Sequence, residues 1–435
     1  MFRNISIILL CLLAACQSNP DDDDVTEAVS QIEVTAEVTE AIDNNFIVWG
    51  QSFLTAEIDN YMKTVFEERH PEINVVFVDS GWDEALRQNL ENSLQMGRPP
   101  EIVIGENYFR SFAARGDLQI VDSVYDNYDD VIPATYQAAI YEDHIYAVPY
   151  LTGVFAFERN CTVVESAGFD CDTPPEYWDE LLEEVTAITQ AGLTDYYGYT
   201  LQGPGGTAVG SAFRVAVYQS QLDALPCADE ACTIPDFNRP ETIPVYEFVR
   251  ELAAQTPPGL IENTNENEVY EALFRGLSAY QIAGSWHPGW AETAGCEDCR
   301  YSSVPRPRDG QTSNMIVGNV LYAAPANSQH PDLALEWLEL LLSDEVQAMI
   351  YPESGRLPVR SSTLSELQND VDEATGVFIN ELLTNENIQL LPQFEENPRR
   401  VWEIYSNLLE AVMLSDRPIE SIMAEAQTDL EALND

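Results

Sequence analysis

Trp286 and Trp290 stand four residues apart in Gly284-Ser-Trp-His-Pro-Gly-Trp290, a segment broken by glycine and proline. An indole face is a platform for the C–H face of a sugar ring, and core packing alone does not account for two of them in so interrupted a stretch. His287 between them has no metal or nucleophile partner in the spacing and reads as a polar neighbour. A second polar-aromatic break is Pro149-Tyr-Leu-Thr-Gly153, which offers Tyr150 and Thr152. No Ser/His/Asp set, metal cluster or phosphate loop is evident from spacing. Pro204-Gly-Gly-Thr-Ala could present amides to an anion, but it lacks the lysine and spacing of a nucleotide loop. The adjacent Tyr196 and Tyr197 could ligate ferric iron, although one facing the core and one the solvent or cleft is the simpler reading. These residues suit binding without chemistry, and no cofactor is called for.

The elements that position them alternate. Phe46–Trp49 reads as a strand followed by Gly50-Gln51-Ser52. A helix with Ile58, Tyr61, Met62, Val65 and Phe66 at helical spacing comes next. Ile73–Val78 is β-branched, as in a strand buried on both faces. Trp82–Leu94 is a helix, and Glu101–Ile104 a strand leading to Gly105-Glu-Asn-Tyr108. Such alternation indicates a mainly parallel, doubly wound α/β sheet, whose ligands sit beyond the carboxyl ends of the strands. That rule selects Trp49–Ser52, Asp79–Trp82 and Gly105–Tyr108, and with them Trp49, Gln51, Ser52, Trp82, Glu106 and Asn107. Two strands, Ile145–Tyr150 and Val154–Glu158, flank the Tyr150–Gly153 break and mark a passage between domains, where small ligands bind. Downstream are helices at Pro174–Glu183, Glu266–Gly276, His330–Leu342 and Glu345–Tyr351. The strand Ala279–Ala283 precedes the tryptophans. The strand Met315–Ala324 is interrupted at Gly318-Asn319, a second candidate crossing, and a turn spans Ser354–Arg360. The rest is read as helical: Val371–Leu383, Pro398–Met413 and Ile419–Leu433.

The 435 residues suffice for two or three domains. The formal charge of −54 reflects scarce bases as well as abundant acids, and Lys63 is the only lysine. Such a polyanion repels nucleic acid and anionic lipid and has a solvated surface. Residues 1–15 read as a lipoprotein signal peptide: a basic start, an apolar run too short to span a bilayer, and small residues before Cys16. The pattern resembles the bacterial lipobox, in which that cysteine carries the lipid. Residues 16–45 would then be the lipidated cysteine and an acidic, disordered tether, since they include the Asp21–Asp24 run and no base. The protein is expected to be extracytoplasmic, held to the membrane through this lipid alone. Six further cysteines form three local pairs, Cys161/Cys171, Cys227/Cys232 and Cys296/Cys299, read as disulfides of an oxidising compartment. Cys296-Glu-Asp-Cys299 could instead be a redox pair or half a zinc site.

In order, these pieces resemble the extracellular solute-binding proteins of carbohydrate ABC importers, the maltose-binding-like class, over about residues 46–433. The resemblance rests on Val-Trp-Gly at 48–50, Ile-Tyr-Ala-Val-Pro-Tyr at 145–150, Trp178-Asp-Glu-Leu181, Phe274-Arg-Gly with Ala283-Gly-Ser-Trp286, Val-Pro-Arg-Pro at 304–307, Ala334–Leu342 and Ser354–Arg360. It implies a type II periplasmic-binding-protein fold of two hinge-linked α/β lobes. The lobes are expected as 46–150 with 320–370 and 151–319 with 371–435. Trp286 would stack on sugar. Gln51, Ser52, Glu106, Asn107, Tyr150 and Thr152 would supply polar contacts, with Trp49, Trp82, Trp290, Gly318, Asn319 and Arg356 joining them in the cleft. Gly153 departs from the maltose-binding pattern, which places a carboxylate there.

The resulting expectation is a monomeric, lipid-anchored, non-enzymatic receptor that captures a sugar or oligosaccharide and delivers it to an ABC permease. The alternative keeps the fold and binds a polyamine or other small solute, with Glu106, Asp79 and Glu57 as counter-charges. A surface glycosidase would need a carboxylate pair with one raised pKa, and nothing in the sequence singles one out.

Overall fold

A computed structural model describes residues 44–433, apart from 51–55, 82, 106–107, 194, 204–209, 230 and 264. The leader, Cys16, the tether, Gln51, Ser52, Trp82, Glu106, Asn107 and the turn at 204–208 lie outside the described residues. Residues from Asn44 onward form one compact unit.

β1 (Asn45–Trp49) buries Phe46 and Val48 on one face, the period of two expected of a pleated strand. α1 (Ala56–Arg69) lays Ile58, Met62 and Phe66, spaced by one turn, against that core. β2 (Asn74–Val78), α2 (Asp83–Gln95), β3 (Ile102–Gly105) and α3 (Phe109–Ala113) continue the alternation. A short hairpin, β4 (Ile140–Tyr141) and β5 (His144–Ile145), leads into β6 (Val148–Thr152). Then Gly153 and Val154 intervene, and β7 (Phe155–Asn160) belongs to a different sheet.

That second region contains α4 (Cys161–Ser166), α5 (Trp178–Gly192), β8 (Tyr197–Tyr199), α6 (Gly210–Ser220), α7 (Ile243–Ala253), α8 (Glu266–Phe274), β9 (Ser278–Gly284), α9 (His287–Ala294) and β10 (Cys299–Ser302). The chain then forms β11 (Asn314–Met315) and returns to the first sheet as β12 (Val320–Ala323). There follow α10 (Pro331–Leu341), α11 (Asp344–Ser354), β13 (Leu357–Pro358), α12 (Ser361–Leu367), α13 (Glu373–Thr384), β14 (Ile388–Gln389), α14 (Pro398–Leu414) and α15 (Ile419–Glu431).

The first sheet has the order β13-β6-β12-β3-β1-β2 and the second β10-β7-β9-β8, while β11 pairs with β14. The expected parallel pairing holds for β1 with β2 and with β3, and for β8 with β9. β12 runs antiparallel to both β3 and β6, and β13 antiparallel to β6. The reason is connectivity: β12 enters from the second region rather than through a crossover helix, so the right-handed β-helix-β rule does not fix its direction. The strand expected over Met315–Ala324 splits into β11 and β12 at Gly318, whose φ is +58°. Glycine takes that conformation without the penalty other residues meet. β14 falls between the helices read at Val371–Leu383 and Pro398–Met413 and was not foreseen.

Three apolar clusters follow this arrangement. One packs Phe46, Phe66, Ile104, Tyr150, Leu321 and Trp337 around the first sheet, and another packs Phe157, Trp178, Tyr218, Phe248, Tyr280 and Leu409 around the second. A smaller one gathers Val154, Ala156, Ile316, Leu357, Phe378 and Leu382, which come from the connecting strands and α13. The chain segments that pass between the sheets therefore share a core of their own. The disulfides Cys161–Cys171, Cys227–Cys232 and Cys296–Cys299 all form, with Cα–Cα separations of 5.0–5.5 Å, so Cys296 and Cys299 serve as a staple. No helix among the described residues is long and apolar enough to cross a membrane.

Candidate functional site at the strand crossings

The site is assembled where the chain leaves one sheet and where it comes back. The amide of Val317 donates to the carbonyl of Gly153 at 3.0 Å, and Val154 bridges to Ile316. The two passages therefore lie side by side. Gly284, the last residue of β9, pairs with Phe155, which brings Ser285 and Trp286 to the same place. A Cβ at Gly153 would lie 2.6 Å from Ser285 Oγ and 2.9 Å from the Val317 carbonyl oxygen. Only the smallest residue allows so close an approach. β13 pairs Leu357 with Thr152, so Arg356 arrives as a third contributor.

Trp286 is the centre. A Cβ at Gly284 would lie 2.4 Å from the indole Cη2, so the ring folds back over its own strand end. A Cβ at Gly318 would lie 3.1 Å from indole Cζ3 and 2.8 Å from Arg356 Nη1. The Arg356 guanidinium carbon stands 4.3 Å from the indole centroid, a cation–π arrangement. The indole is thus not the bare platform that its glycine-broken segment suggested. It is half-buried and carries an arginine. The reason is a contact between residues far apart in sequence, which no local pattern reveals. Trp290 is the more open ring, 40 % exposed, with its centroid 6.1 Å from that of Trp286.

Around Trp286 the structure gathers polar atoms that are buried and have no hydrogen-bond partner: Thr152 Oγ1, Ser285 Oγ, Trp286 Nε1 and Asn319 Oδ1. The amide nitrogen of Asn319 does bond, donating to the Thr135 carbonyl at 2.7 Å, which fixes the direction of its oxygen. Such groups are rare in folded proteins because each one costs about 1–3 kcal/mol. Their concentration beside one aromatic ring points to a surface made to hydrogen-bond something else.

Among the residues singled out from sequence, Thr152, Trp286, Gly318, Asn319 and Arg356 come together here, and Trp290 borders them. Tyr150 is 1 % exposed and packs edge-on against Tyr322 at 5.4 Å, so its ring belongs to the first core. Burial, with Asp59 and Tyr150 nearby, pushes the Tyr322 hydroxyl well above its usual range. Trp49 is half-buried against the same core. Gly153, expected with Tyr150 and Thr152 at the mouth of the cleft, joins the cluster, and so does Ser285, which was not selected as a ligand contact. Their signal was present in the Gly-Ser-Trp and Thr-Gly sequences but had no chemistry of its own. Two cavities lie elsewhere. One of about 730 Å3 is bordered by Arg110, Gln137, Arg239 and Gln393, and one of about 350 Å3 by Arg250, Pro257, Met413 and Asp416.

Residues 50–348 match the family described as bacterial extracellular solute-binding protein. The chain belongs to that family. This solute-binding protein is 23 % identical over 347 residues to an uncharacterized ABC transporter extracellular-binding protein of Pyrococcus horikoshii, covering 75 % of this chain and 73 % of the relative. It is 21 % identical to the diacetylchitobiose binding protein DasA of Streptomyces coelicolor, covering 81 % of each. Its fold is similar to that of the sugar-binding protein MalE of Xanthomonas citri, with a TM-score of 0.75 at 19 % identity over 89 % of this chain and 96 % of the other. The solute-binding protein therefore has the two-lobe, type II periplasmic-binding-protein fold.

Proposed function

We propose that this solute-binding protein captures a sugar or oligosaccharide at the Trp286 cluster, between lobes formed by 46–150 with 320–370 and by 151–319 with 371–435. It acts as a monomer, tethered outside the cytoplasm through a lipid on Cys16, and hands its ligand to an ABC permease. The observation that carries this reading is the combination at Trp286 of aromatic rings with buried, unpartnered hydroxyl, indole and amide groups. A sugar matches both halves: its C–H face stacks on indole and its hydroxyls satisfy donors and acceptors. Among relatives whose names state a ligand, DasA binds diacetylchitobiose and MalE sugar, which supports this class, while UgpB of Salmonella typhimurium binds sn-glycerol-3-phosphate.

A polyamine fits less well. The charged side chain resting on Trp286 is Arg356, a cation. Asp79 and Glu57, two of the proposed counter-charges, are exposed, and the Asp79 carboxylate accepts from the Gly81 amide at 2.9 Å. The family is one of binding proteins, so no reaction is assigned.

The test is thermal unfolding in the presence of maltotriose, diacetylchitobiose or spermidine. A ligand at one hundred times its Kd adds about 2.7 kcal/mol to the folded state. A rise in midpoint with a saccharide and none with spermidine is expected. A rise with spermidine alone refutes the sugar reading. Fractionation of cells making the Cys16→Ser variant tests the anchor, which requires the protein to leave the membrane fraction.

A further inference from the structure

Behind Trp286 lies a polar cluster in the interior of the second lobe. Glu158 on β7 stands opposite Gln281 on β9 and opposite Tyr301 on β10, so three neighbouring strands present these side chains on one face. Gln281 Nε2 donates to Glu158 Oε2 at 2.7 Å and the Tyr301 hydroxyl to Oε1 at 2.5 Å. His287 Nδ1 completes the set at 2.9 Å from Oε2. Both Glu158 and His287 are 0 % exposed. Burial and the adjacent Glu158 carboxylate push the Tyr301 hydroxyl far above its usual range, so it stays a donor. A carboxylate in such a place costs several kcal/mol unless every lone pair is engaged, and apolar side chains would fill the space without that cost.

What the cluster holds is the imidazole of His287, which packs beside both tryptophans, the three ring centroids forming a triangle with sides of 5.5, 6.0 and 6.1 Å. Its ring stacks on Trp290 at 5.5 Å and 29° and stands 6.0 Å from Trp286. Tyr270 closes its far side edge-on at 4.6 Å, with Phe274 at 5.8 Å. Trp286 and Trp290 lie one turn apart at the start of α9, on the same side of that helix. The imidazole is therefore a wedge set against both indoles, the third ring of the triangle, and Glu158 fixes the wedge.

We propose that Glu158 and His287 are positioning residues of the ligand site: the buried carboxylate pins the imidazole, and the imidazole pre-sets Trp286 and Trp290 as one aromatic surface. This rests on the sugar-binding reading for its purpose, although the geometry it asserts does not. Pre-setting the rings spares the ligand the ordering cost that flexible side chains would impose.

The experiment compares the wild type with Glu158→Ala, His287→Asn, Tyr301→Phe and, as control, Tyr280→Phe. Tyr280 is on the opposite face of β9, and its hydroxyl donates to the Glu184 carboxylate, so the control removes a similar bond away from the wedge. Two quantities are read: the indole bands of the near-ultraviolet circular dichroism spectrum, and maltotriose affinity by calorimetry. Glu158→Ala and His287→Asn are expected to collapse the indole bands and weaken maltotriose about tenfold, the equivalent of one buried polar interaction. Tyr301→Phe, which leaves two of the three bonds to Glu158, should show a smaller change of both in the same direction. Tyr280→Phe should lower the melting temperature and change neither. If Glu158→Ala does not fold, the contrast between Tyr301→Phe and Tyr280→Phe decides. The proposal is overturned if those two variants behave alike in the indole bands, or if His287→Asn leaves the bands intact. Failure of wild-type protein to bind maltotriose counts against the sugar reading alone, because the spectroscopic arm needs no ligand.

Discussion

Substituting alanine at Gly153 puts the closeness of the two crossings to a direct test. The added Cβ would sit 2.6 Å from Ser285 Oγ and 2.9 Å from the Val317 carbonyl oxygen, against an ordinary contact of 3.4 Å or more. The serine hydroxyl can rotate away. The carbonyl cannot, because it is main chain, and the amide of the same residue is bonded to Gly153 at 3.0 Å. Relief requires the crossings to separate by about half an ångström, which strains that bond. Overpacking of this kind costs about 1–3 kcal/mol. Weakening the hydrogen bond adds up to about 1 kcal/mol. Reduced freedom of the unfolded chain returns about 0.4–1 kcal/mol. At the centres of these ranges the net loss is about 2 kcal/mol. A domain of this size loses about 1–2 °C per kcal/mol, extrapolating the trend for smaller ones, so the midpoint should fall by about 2–4 °C. Scanning calorimetry reads this, and hydrogen exchange at the Val317 amide should rise. The reference is Gly376→Ala inside α13, where a Cβ meets nothing within 4 Å and the helix should gain about 0.5–1 kcal/mol. If Gly153→Ala melts no lower than wild type, the crossings are not in contact and the site has been built wrongly.

Two further outcomes follow from charge. Burial works against the Asp130 carboxylate, but bonds from Ser362 and Arg360 outweigh it and hold its pKa below the ordinary value; Arg360 Nε lies 2.9 Å from Oδ1. A depressed carboxylate stabilises the fold above its unfolded pKa near about 4 and ceases to do so as pH falls through the folded one. Asp130→Asn should therefore lower the melting temperature at neutral pH, by about 1–2 kcal/mol of stability, with the gap closing as pH falls below the unfolded value of about 4. The second concerns salt. With a formal charge of −54, self-repulsion outweighs solvent-screened exposed pairs such as Arg308–Asp179. Raising sodium chloride from about 0.01 M to 1 M shortens the screening length from about 30 Å to 3 Å. The melting temperature should rise with it, and a fall would show that attractive pairs dominate.

Where one face of an element is apolar, the sequence made it legible. The helix read over Trp82–Leu94 forms as Asp83–Gln95, and Pro398–Met413 as Pro398–Leu414. Gly318-Asn319 was legible as a break because glycine has a conformational reason to be there, and its φ is +58°. Glu158 was not legible. In Phe155-Ala-Phe-Glu-Arg-Asn160 an acid that opens a polar strand end reads as solvent-facing. Yet β7 lies between β9 and β10, and every one of its residues is buried. With helices over both faces, alternation no longer reports solvent, and only the partners on adjacent strands reveal why a carboxylate is tolerated. Arg356 over Trp286 was hidden for the other reason: the contact joins segments that only the pairing of β13 with β6 brings together.

In the site proposed above, the passages between the sheets and the ligand contacts involve the same residues. Gly153 and Gly318 lie on the passages between sheets, and both touch what surrounds Trp286, the one through Ser285 and the other through the indole and Arg356. Thr152 and Arg356 flank the β6–β13 pairing, on the edge of the first sheet, while Trp286 extends from β9 of the second. A ligand that satisfies Thr152 and Asn319, at the ends of β6 and β12 of the first sheet, and Ser285 and Trp286, beyond β9 of the second, would therefore act on both sides of the passages at once. Its binding free energy is available to shift the hinge only to the extent that these groups are satisfied together in one arrangement and not in another. In such a design the unpartnered polar atoms would favour whichever arrangement of the lobes lets a ligand reach all four, since any other leaves at least one of them unsatisfied.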